Sequence, residues 1–351
     1  MSKLIVLLGA TGTVGGAIVQ AFVKDPSFKV RAIVRDVSSV KAQALREKSV
    51  ELVQGDLNDQ SSLERGFAGA NYIYAMSSDV AVVGPSLLAN GHPPEDILEE
   101  AYRIDVANGK KIVNAAAAAA AAAQTARDTL QLLVYSGASA AKELSKGRYD
   151  MIYQFDGKAD VMKYLQSTYP GLAKKTAELQ LGAFATNWQQ PNPFRPTKQQ
   201  DGRYRIMMPC SANTPIPFID PNHDPAIFVR ALVSQASSLP PTLPSPSGTD
   251  IHVFAGYRQM TTMAEWTALL NKHLPVDIYF EECSIDHWAA QITFVPGLGL
   301  ELAQMYHYFQ TVGYFGGDGG GSRPITELKL EGELATMEDY VKNEDWSSLW
   351  Q

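Results

Sequence analysis

The first residues able to do chemistry form a glycine-rich turn near the start of the chain. Gly9, Gly12 and Gly15 stand in a G-x-x-G-x-x-G spacing, directly after an apolar run and before a helical pattern. The first glycine permits a tight turn, the second lets the backbone approach a pyrophosphate, and the third allows close helix–strand packing. The N–H groups that begin the next helix, with the positive end of its dipole, attract phosphates. The spacing therefore predicts a dinucleotide-binding turn.

A positive side chain stands at the position that separates two dinucleotides. Arg35 ends the second predicted strand, roughly 20 residues past the glycines, where a chain that binds NAD carries Asp or Glu for the ribose 2′-hydroxyl. A guanidinium instead suits a 2′-phosphate, because it forms bidentate charge-assisted hydrogen bonds. We therefore predict NADP(H) as the cofactor. The neighbouring Asp36 leaves two alternatives open, since it could pair with Arg35 or replace the missing acid.

Polar residues also follow the third and fourth predicted strands. Asp56 can accept a hydrogen bond from an adenine amino group, while Leu57 presents backbone to the ring. Asp59 is predicted to cap the helix that follows. Ser77 and Ser78 fall where ribose or nicotinamide contacts belong in this topology.

The elements that must position these residues alternate regularly in the first half of the chain. Predicted strands cover 3–8, 29–34, 50–53, 72–76 and 132–136, and predicted helices cover 12–24, 40–47, 61–67, 95–123 and 157–166. Repeated βαβ units require a parallel sheet with helices on both faces, and right-handed crossovers make it doubly wound. The nine alanines of 115–123 predict a crossover helix packed closely on the sheet. The fold class is therefore α/β, with a doubly wound Rossmann sheet.

Composition changes near residue 187. Only 5 of the 20 prolines precede that point, and all five tryptophans follow it. This predicts an NADP-binding Rossmann domain at 1–187 and a smaller α+β domain at 188–351, which binds substrate or partner and can return a strand to the Rossmann sheet. Helices are predicted at 226–232 and 263–273, and a strand at 251–255. Six glycines at 313–321 are interpreted as a mobile surface loop rather than a phosphate cradle.

Charge and cysteine usage exclude several classes of function. The net charge of −7 and the pI near 5.4 argue against direct nucleic-acid binding. Cys210 and Cys283 cannot build a disulfide framework, and the six histidines form no metal motif. The apolar start is too short for a signal peptide, and no apolar stretch reaches membrane-spanning length. These observations predict a cytoplasmic protein without membrane association; a nuclear location would suit a regulator.

Several of these segments resemble the NmrA-like family of atypical short-chain dehydrogenases/reductases, in particular its fungal members. They are 9–16, 34–36, 54–59, 154–158, 336–340 and 345–346. The resemblance implies NADP(H) bound in a Rossmann domain beside a smaller substrate domain. Some members reduce small molecules, often in secondary metabolism. Others are redox-sensing regulators without demonstrated turnover, which bind a protein partner according to the NADP state.

The resemblance also implies a set of cofactor contacts. They are Gly9, Thr11, Gly12, Thr13, Val14, Arg35, Asp56, Leu57, Ser77, Ser78, Lys158, Phe184 and Asn187. The chain departs from some relatives at two places. Ser38 and Ser39 stand where those relatives carry a second basic residue, and Ala107 and Asn108 stand where they carry a lysine.

The catalytic group is a separate question. Short-chain dehydrogenases use Tyr-x-x-x-Lys with an upstream serine, but here Gln154 stands four residues before Lys158. Tyr153 is one place off, and a strand or loop there would point it elsewhere. Ser136 and Ser139 occupy the serine region. The catalytic candidates are therefore Lys158, Tyr153 and Ser136, with Lys158 acting as a ribose ligand, a general acid or only a structural residue.

Three functions follow from these observations. The first is an NADPH-dependent reductase of a small aromatic or polyketide-like molecule, bound in an apolar pocket over the nicotinamide. The second is an NADP-sensing regulator without turnover that binds a transcription factor or an enzyme. The third is a non-redox dehydratase or isomerase. The residues predicted to line the pocket, or alternatively to form the core of the smaller domain, are Trp188, Tyr204, Met207, Met208, Trp266, Trp288, Tyr306 and Phe309.

Overall fold

Apolar runs in the first half form strands that alternate with helices, as the sequence pattern predicts. The computed structural model describes residues 2–78, 80–122, 130–190, 192–242 and 251–349. Its strands are β1 Lys3–Leu8, β2 Phe28–Val34, β3 Glu51–Gln54, β4 Tyr72–Ala75, β5 Leu132–Gly137, β6 Thr176–Leu181, β7 Ala183–Phe184, β8 Thr197–Lys198, β9 Tyr204–Met208, β10 Pro215–Ile219, β11 His252–Gly256, β12 Gln259–Thr262, β13 Ile278–Glu282 and β14 Arg323–Pro324. Its α-helices are α1 Thr13–Phe22, α2 Val40–Arg46, α3 Gln60–Phe67, α4 Val80–Ala89, α5 Ile97–Ala121, α6 Ala141–Leu144, α7 Tyr153–Thr168, α8 Pro170–Ala173, α9 Asp224–Ser234, α10 Met263–His273, α11 Ile285–Ala289, α12 Leu298–Thr311 and α13 Met337–Asn343.

Eight strands form one parallel sheet in the order β14-β11-β6-β5-β4-β1-β2-β3. The order turns back at β1, which makes this a doubly wound Rossmann sheet and confirms the predicted fold class. Two of the eight strands, β11 and β14, come from the part of the chain after residue 187. The carboxyl ends of β1, β4 and β5 lie at one edge of the sheet, where such folds place their ligands.

Helices cover both faces of the sheet. On one face α1, α2 and α9 contribute Ile18, Leu45 and Phe228 to a buried apolar layer. On the other face α3, α5 and α7 bury a second layer, in which Ala115 and Ala116 pack with the apolar side chains of β4 and β5. Alanine allows this close approach, so the predicted crossover helix is confirmed, although residue 123 lies outside the described residues.

The second half adds two three-stranded sheets, β12-β10-β7 and β13-β9-β8, around a third apolar core. Every aromatic and methionine side chain that the sequence suggested for a substrate pocket is buried in this core. Trp188 stacks on Trp346 with ring centroids 4.3 Å apart, and Phe218 stacks on Trp266 at 5.2 Å. For those side chains the alternative prediction, core packing, is the correct one.

Some elements differ from the prediction. Helix α4 was not predicted, because Gly84 and Pro85 interrupt its pattern. Helix α7 begins at Tyr153, four residues earlier than predicted, so the expectation of a strand or loop there was wrong. Strand β6 was also missed. In the glycine-rich segment 313–321, residues 317–319 are exposed but Gly316 is buried.

Candidate cofactor and catalytic site

The turn between β1 and α1 has the geometry that the glycine spacing predicts. Gly9 adopts a left-handed backbone with φ of +85°, and its carbonyl oxygen accepts a hydrogen bond from the Gly12 N–H at 3.0 Å. A Cβ on Gly15 would lie 2.2 Å from that same oxygen. Glycine at 15 is therefore what lets the helix pack this closely on the turn.

The start of α1 is open toward the ligand edge of the sheet. Gly12 is the N-cap residue and supplies no side-chain cap to the helix, and both Gly12 and Thr13 are exposed. Thr11 is half-buried, while Val14 is buried and can reach a ligand only through its backbone. An uncapped helix N-terminus at the end of β1 fits a pyrophosphate, since its N–H groups and dipole both favour an anion.

The described residues after β2 form no ion pair with Arg35, so its guanidinium is available to a ligand. Arg35 is exposed, and within the described part of the chain no carboxylate lies within ion-pair distance of it. Asp36 accepts hydrogen bonds from the Ser38 hydroxyl at 2.6 Å and the Ser38 N–H at 2.7 Å, which lower the pKa of its carboxyl. Asp36 therefore stabilises the turn at residues 36–38 through Ser38. The sequence left it open whether Asp36 pairs with Arg35 or replaces the missing acid, and the pairing with Arg35 is not observed in the described residues.

The segment after β3 is fixed in the same local way. Asp56 accepts a hydrogen bond from the Asn58 N–H at 2.7 Å and donates its own N–H to the Ser62 hydroxyl at 3.0 Å. Asp56 and Leu57 are both half-buried. Asp59 caps α3 through the Ser62 N–H, as predicted. The turn is thus held by its own hydrogen bonds, at the end of the sheet where the sequence predicts adenine binding.

The serines after β4 join a polar cluster beneath the sheet edge. The Tyr135 hydroxyl donates to the Ser77 oxygen at 2.9 Å, and the Asn108 side-chain amide donates to the Ser78 oxygen at 3.1 Å. Ala107 and Asn108 stand where the resemblance places a lysine in some relatives, and here the Asn108 amide contacts Ser78 instead. Burial raises the pKa of the Tyr135 hydroxyl, which keeps it a neutral donor.

Lys158 is the most informative side chain of the site. It is buried, and its Nζ lies 3.6 Å from Asp105 Oδ2 and donates a hydrogen bond to the main-chain oxygen of Gln154 at 3.1 Å. Asp105 on α5 is fully buried. A Cβ on Gly157 would lie 2.8 Å from Asp105 Oδ2, so the glycine opens the space between the two helices. The sequence does not point to Asp105, because nothing local links residues 53 positions apart.

The second half of the chain anchors the beginning of α7. Glu301, fully buried on α12, accepts a hydrogen bond from the Gln154 N–H at 2.9 Å. The Gln154 side-chain amide lies 3.2 Å from the Met305 sulfur. A carboxylate at a helix N-terminus is favoured by the dipole and by the free N–H groups. This contact fixes the turn of helix that carries Lys158.

The other two catalytic candidates lie apart from Lys158. Tyr153 is five residues earlier on the same helix, about 140° around its axis, and its ring packs 5.3 Å from that of Tyr102. Ser136 is buried and lies beside the Tyr74 hydroxyl, whose pKa burial raises to about 12. In the described residues no hydrogen bond joins Tyr153 or Ser136 to Lys158.

The remaining predicted contacts follow β6. Phe184 ends β7, which pairs with β10, and Asn187 lies in a short 3-10 turn over Ala185–Gln189. Both side chains are half-buried. Ser139 is engaged elsewhere, within hydrogen-bond distance of the Tyr308 hydroxyl at 3.1 Å and donating to the Tyr314 main-chain oxygen at 3.0 Å.

The described part of the chain also bears on metal binding and on membrane crossing. No group of three or more His, Cys, Asp or Glu side chains there is arranged to hold a metal ion. None of the helices described there combines the length and the apolar character that crossing a membrane requires.

Comparison with known proteins matches the chain to a known family and fold. The model of the NmrA-like family matches residues 1–341. The NmrA-like family domain-containing oxidoreductase notA of Aspergillus sp. (strain MF297-2) is 32% identical over 164 residues, which cover 46% of this chain and 41% of that relative. The counterpart ptmS of Penicillium ochrochloron is 32% identical over 168 residues, 47% of this chain and 43% of that one. The aligned region thus spans about two fifths of these relatives' length.

Among solved structures, NmrA, a negative transcriptional regulator, in complex with NADP superimposes with a TM-score of 0.68 at 18% identity, covering 97% of this chain and 95% of that one. Citrobacter sp. triphenylmethane reductase complexed with NADP(H) superimposes with a TM-score of 0.62 at 18% identity, covering 96% and 99%. At these identities the likeness is one of fold.

Proposed function

This chain belongs to the NmrA-like family, and from that premise we propose that it is an NADP(H)-dependent oxidoreductase of a small aromatic or polyketide-like molecule. The relatives named oxidoreductases support the reaction class, since they are 32% identical to this chain over 164 and 168 residues. The secondary-metabolism setting is part of the proposal and comes from the resemblance to fungal members.

The residues at the sheet edge fit the cofactor. Gly9, Gly12 and Thr13 form an exposed cradle for the pyrophosphate, and Arg35 is free to bind a 2′-phosphate because Asp36 is committed to Ser38. The adenine would lie against the turn after β3, and the nicotinamide half toward β4, β5 and the segment after β6. When bound, NADPH supplies the hydride for the reduction.

The proposal depends most on the Lys158 ammonium group, which Asp105 and the Gln154 main-chain oxygen hold in a buried position. An ammonium has three donors. One goes to the Gln154 main-chain oxygen, and Asp105 holds the charge at 3.6 Å, so at least one donor is left for a ligand. We assign this donor to the nicotinamide ribose and to the oxygen on which negative charge develops during reduction. Asp105 acts through Lys158 and is a positioning residue.

Two exposed apolar side chains, one on α4 and one next to a residue that packs on α4, support an apolar substrate. Helix α4 begins two residues after Ser78, and its Val82 is 72% exposed. Phe294 is 57% exposed, and the adjoining Val295 packs against Gly84 of the same helix. Exposed large apolar side chains near a cofactor edge are typical of a substrate entrance. We infer that Val82 and Phe294 contact the aromatic part of the substrate.

The test is NADPH oxidation by the purified protein against a panel of aromatic ketones and quinones. Turnover with at least one of them is expected, and Lys158→Ala should lower kcat/KM by about 10²-fold. Lys198→Ala, at an exposed lysine of β8, is the matched control and should leave activity unchanged. Absence of turnover with every compound would contradict the oxidoreductase proposal.

One observation favours a second function. Gln154 replaces the tyrosine that donates the proton in short-chain dehydrogenases, and its amide packs on Met305. An NADP-sensing regulator needs no proton donor. Tight NADPH binding without turnover, together with a protein partner recovered by pull-down, would favour the regulator. Conversion of a compound with no net consumption of NADPH would instead favour the dehydratase or isomerase.

A further inference from the structure

A polar cavity lies on the α7 face of the sheet, between α7, β6 and the glycine-rich segment 313–321. It has a volume of about 60 Å³. Its lining includes Glu178 and Gln180 from β6, Met162 and Gln166 from α7, and Gly320 from the segment. None of the residues assigned to the cofactor is among them. The cavity is therefore separate from the proposed cofactor site.

The glycines of segment 313–321 allow it to close this cavity. A Cβ on Gly316 would lie 2.4 Å from the Leu144 side chain, and one on Gly320 would lie 1.8 Å from the main-chain oxygen of Phe315. A side chain at position 316 would hold the segment away from α6, and one at position 320 would disrupt the turn that the segment makes on itself. The glycines of segment 313–321, which are not part of the cofactor site, thus allow the segment to cover the cavity.

Two acceptor groups converge inside. Glu178 is 6% exposed and Gln180 is 4% exposed. The Gln180 amide nitrogen donates to Glu178 Oε1 at 3.1 Å, and this contact fixes the orientation of the amide. Within the described residues, Gln180 Oε1 has no hydrogen-bond partner although it is fully buried. Buried acceptors of this kind normally bind a donor, because an unsatisfied one is destabilising.

The cavity lining also holds a hydrogen-bond donor and charged side chains. The Gln166 side-chain nitrogen is a buried donor without a protein partner in the described residues. Glu143 and Lys163 also line the cavity and form an ion pair at 3.1 Å, and Lys163 lies 3.4 Å from Asp160. Lys163 is neutralised by these exposed carboxylates at the rim, so the buried Glu178 sets the charge of the interior, which favours a cation over an anion.

We propose that this cavity binds a small primary ammonium ion that carries a hydroxyl group, of the size of ethanolamine. The ammonium donates to the Glu178 carboxylate and to Gln180 Oε1, and the hydroxyl accepts from Gln166. The volume of about 60 Å³ corresponds to about four to six water-sized atoms. A molecule of that size fills the cavity and satisfies both unpaired groups.

Binding should depend on pH. Burial raises the pKa of the Glu178 carboxyl to about 7, with hydrogen bonds from Gln180 and the Ala138 N–H opposing the rise. The groups that face it are Tyr135 from β5 and the Glu143–Lys163 pair at the cavity wall. The ammonium competes with a proton for the carboxylate, so its affinity should rise as the pH passes upward through 7.

Methionine methyl NMR gives a test that does not depend on enzyme activity. In protein with ¹³C-methyl methionine, Met162 reports on the cavity and Met260, which is 43% exposed on β12, serves as the reference. Titration with ethanolammonium chloride should shift the Met162 resonance saturably and leave Met260 unchanged. Ethylene glycol, which is the same size and neutral, should cause no saturable shift. The Met162→Leu spectrum assigns the resonance.

Two variants locate the ligand contacts. Glu178→Gln keeps the shape of the side chain and should weaken ethanolammonium binding ten- to hundredfold, because a charge-assisted hydrogen bond is lost. Gln166→Leu, at a half-buried position, should weaken it several-fold, and it serves if Glu178→Gln does not fold. The proposal is overturned if Met162 shows no saturable shift, if ethylene glycol acts equally, or if a folded variant binds as tightly as the wild type.

Discussion

The ion pair between Lys158 and Asp105 allows a direct test of how the site is held. Asp105→Asn keeps the volume of the side chain and removes its charge. Asp105 is fully buried, and the Lys158 side chain is only 10% exposed. The substitution therefore leaves a buried ammonium beside a neutral amide, with the Gln154 main-chain oxygen as its remaining acceptor.

The magnitude follows from the separation of the charges. At 3.6 Å and an effective dielectric constant of about 20, two unit charges attract by about 4–5 kcal/mol. Removing one partner of a buried pair costs about 3–5 kcal/mol. Asparagine can still accept one hydrogen bond, so we expect a loss of about 3 kcal/mol in the free energy of unfolding. Domains of this kind have about 5–15 kcal/mol, so the variant should fold.

The assay is urea unfolding followed by circular dichroism, with NADPH titration of the folded variants as a second measurement. Glu99→Gln is the matched control, because Glu99 pairs with Arg103 on the same helix but both side chains are more than half exposed. Its loss should stay below about 1 kcal/mol. Asp105→Asn should also weaken NADPH binding, since Lys158 would no longer be held in place.

The double variant completes the test. Adding Lys158→Met to Asp105→Asn removes the unpaired charge. The double variant should therefore lose less free energy of unfolding than the sum of the losses in the two single variants. If Asp105→Asn destabilises the protein no more than Glu99→Gln, or if the two substitutions are simply additive, then Asp105 does not position Lys158.

Three further predictions concern the turn, the α7 anchor and the buried acid. Gly15→Ala should cost about 1–3 kcal/mol and weaken NADPH binding, since its Cβ would meet a backbone oxygen, whereas Gly16→Ala, with 3.8 Å of clearance, should be neutral or stabilising in the same urea assay. Glu301→Gln should cost about 1–3 kcal/mol and lower the melting temperature, because the charge at the α7 N-terminus is lost; an unchanged melting temperature would contradict the anchor. The pKa of the Glu178 carboxyl is raised from the ordinary 4.5 to about 7, so the folded chain binds this proton more tightly than the unfolded chain does. The protonated carboxyl therefore stabilises the fold below pH 4.5, and this stabilisation is lost as the pH rises through 7. Relative to Glu178→Gln, the wild type should therefore lose about 3 kcal/mol across that range in unfolding measured at several pH values, and parallel pH profiles would exclude a raised pKa.

The sequence was sufficient to predict the elements whose structure is determined by neighbouring residues. The Gly9–Gly15 spacing, the apolar strand pattern and the alanines of α5 each predict their element without information from elsewhere in the chain. The partner of Asp36 was a local question that the sequence left open, and the structure answers it with a contact two residues away, to Ser38.

Elements stabilised by distant contacts could not be predicted. The first turn of α7 lacks an apolar period and is held by Glu301, 147 residues away from Gln154. Strand β10 contains Pro215 and Pro217, which argue against a strand on local grounds. The pairing of Asp105 with Lys158 likewise exists only once α5 and α7 lie side by side on the sheet.

The most direct test of the proposed function is an equilibrium titration of the wild type and of Arg35→Ala with NADPH and with NADH. Arg35 is exposed at the end of β2 and has no carboxylate partner in the described residues, so it is free to bind a 2′-phosphate. The wild type should bind NADPH about ten- to hundredfold more tightly than NADH, and Arg35→Ala should lose that preference while its NADH affinity is unchanged. Equal affinity of the wild type for both dinucleotides, or an undiminished preference in the variant, would contradict the account.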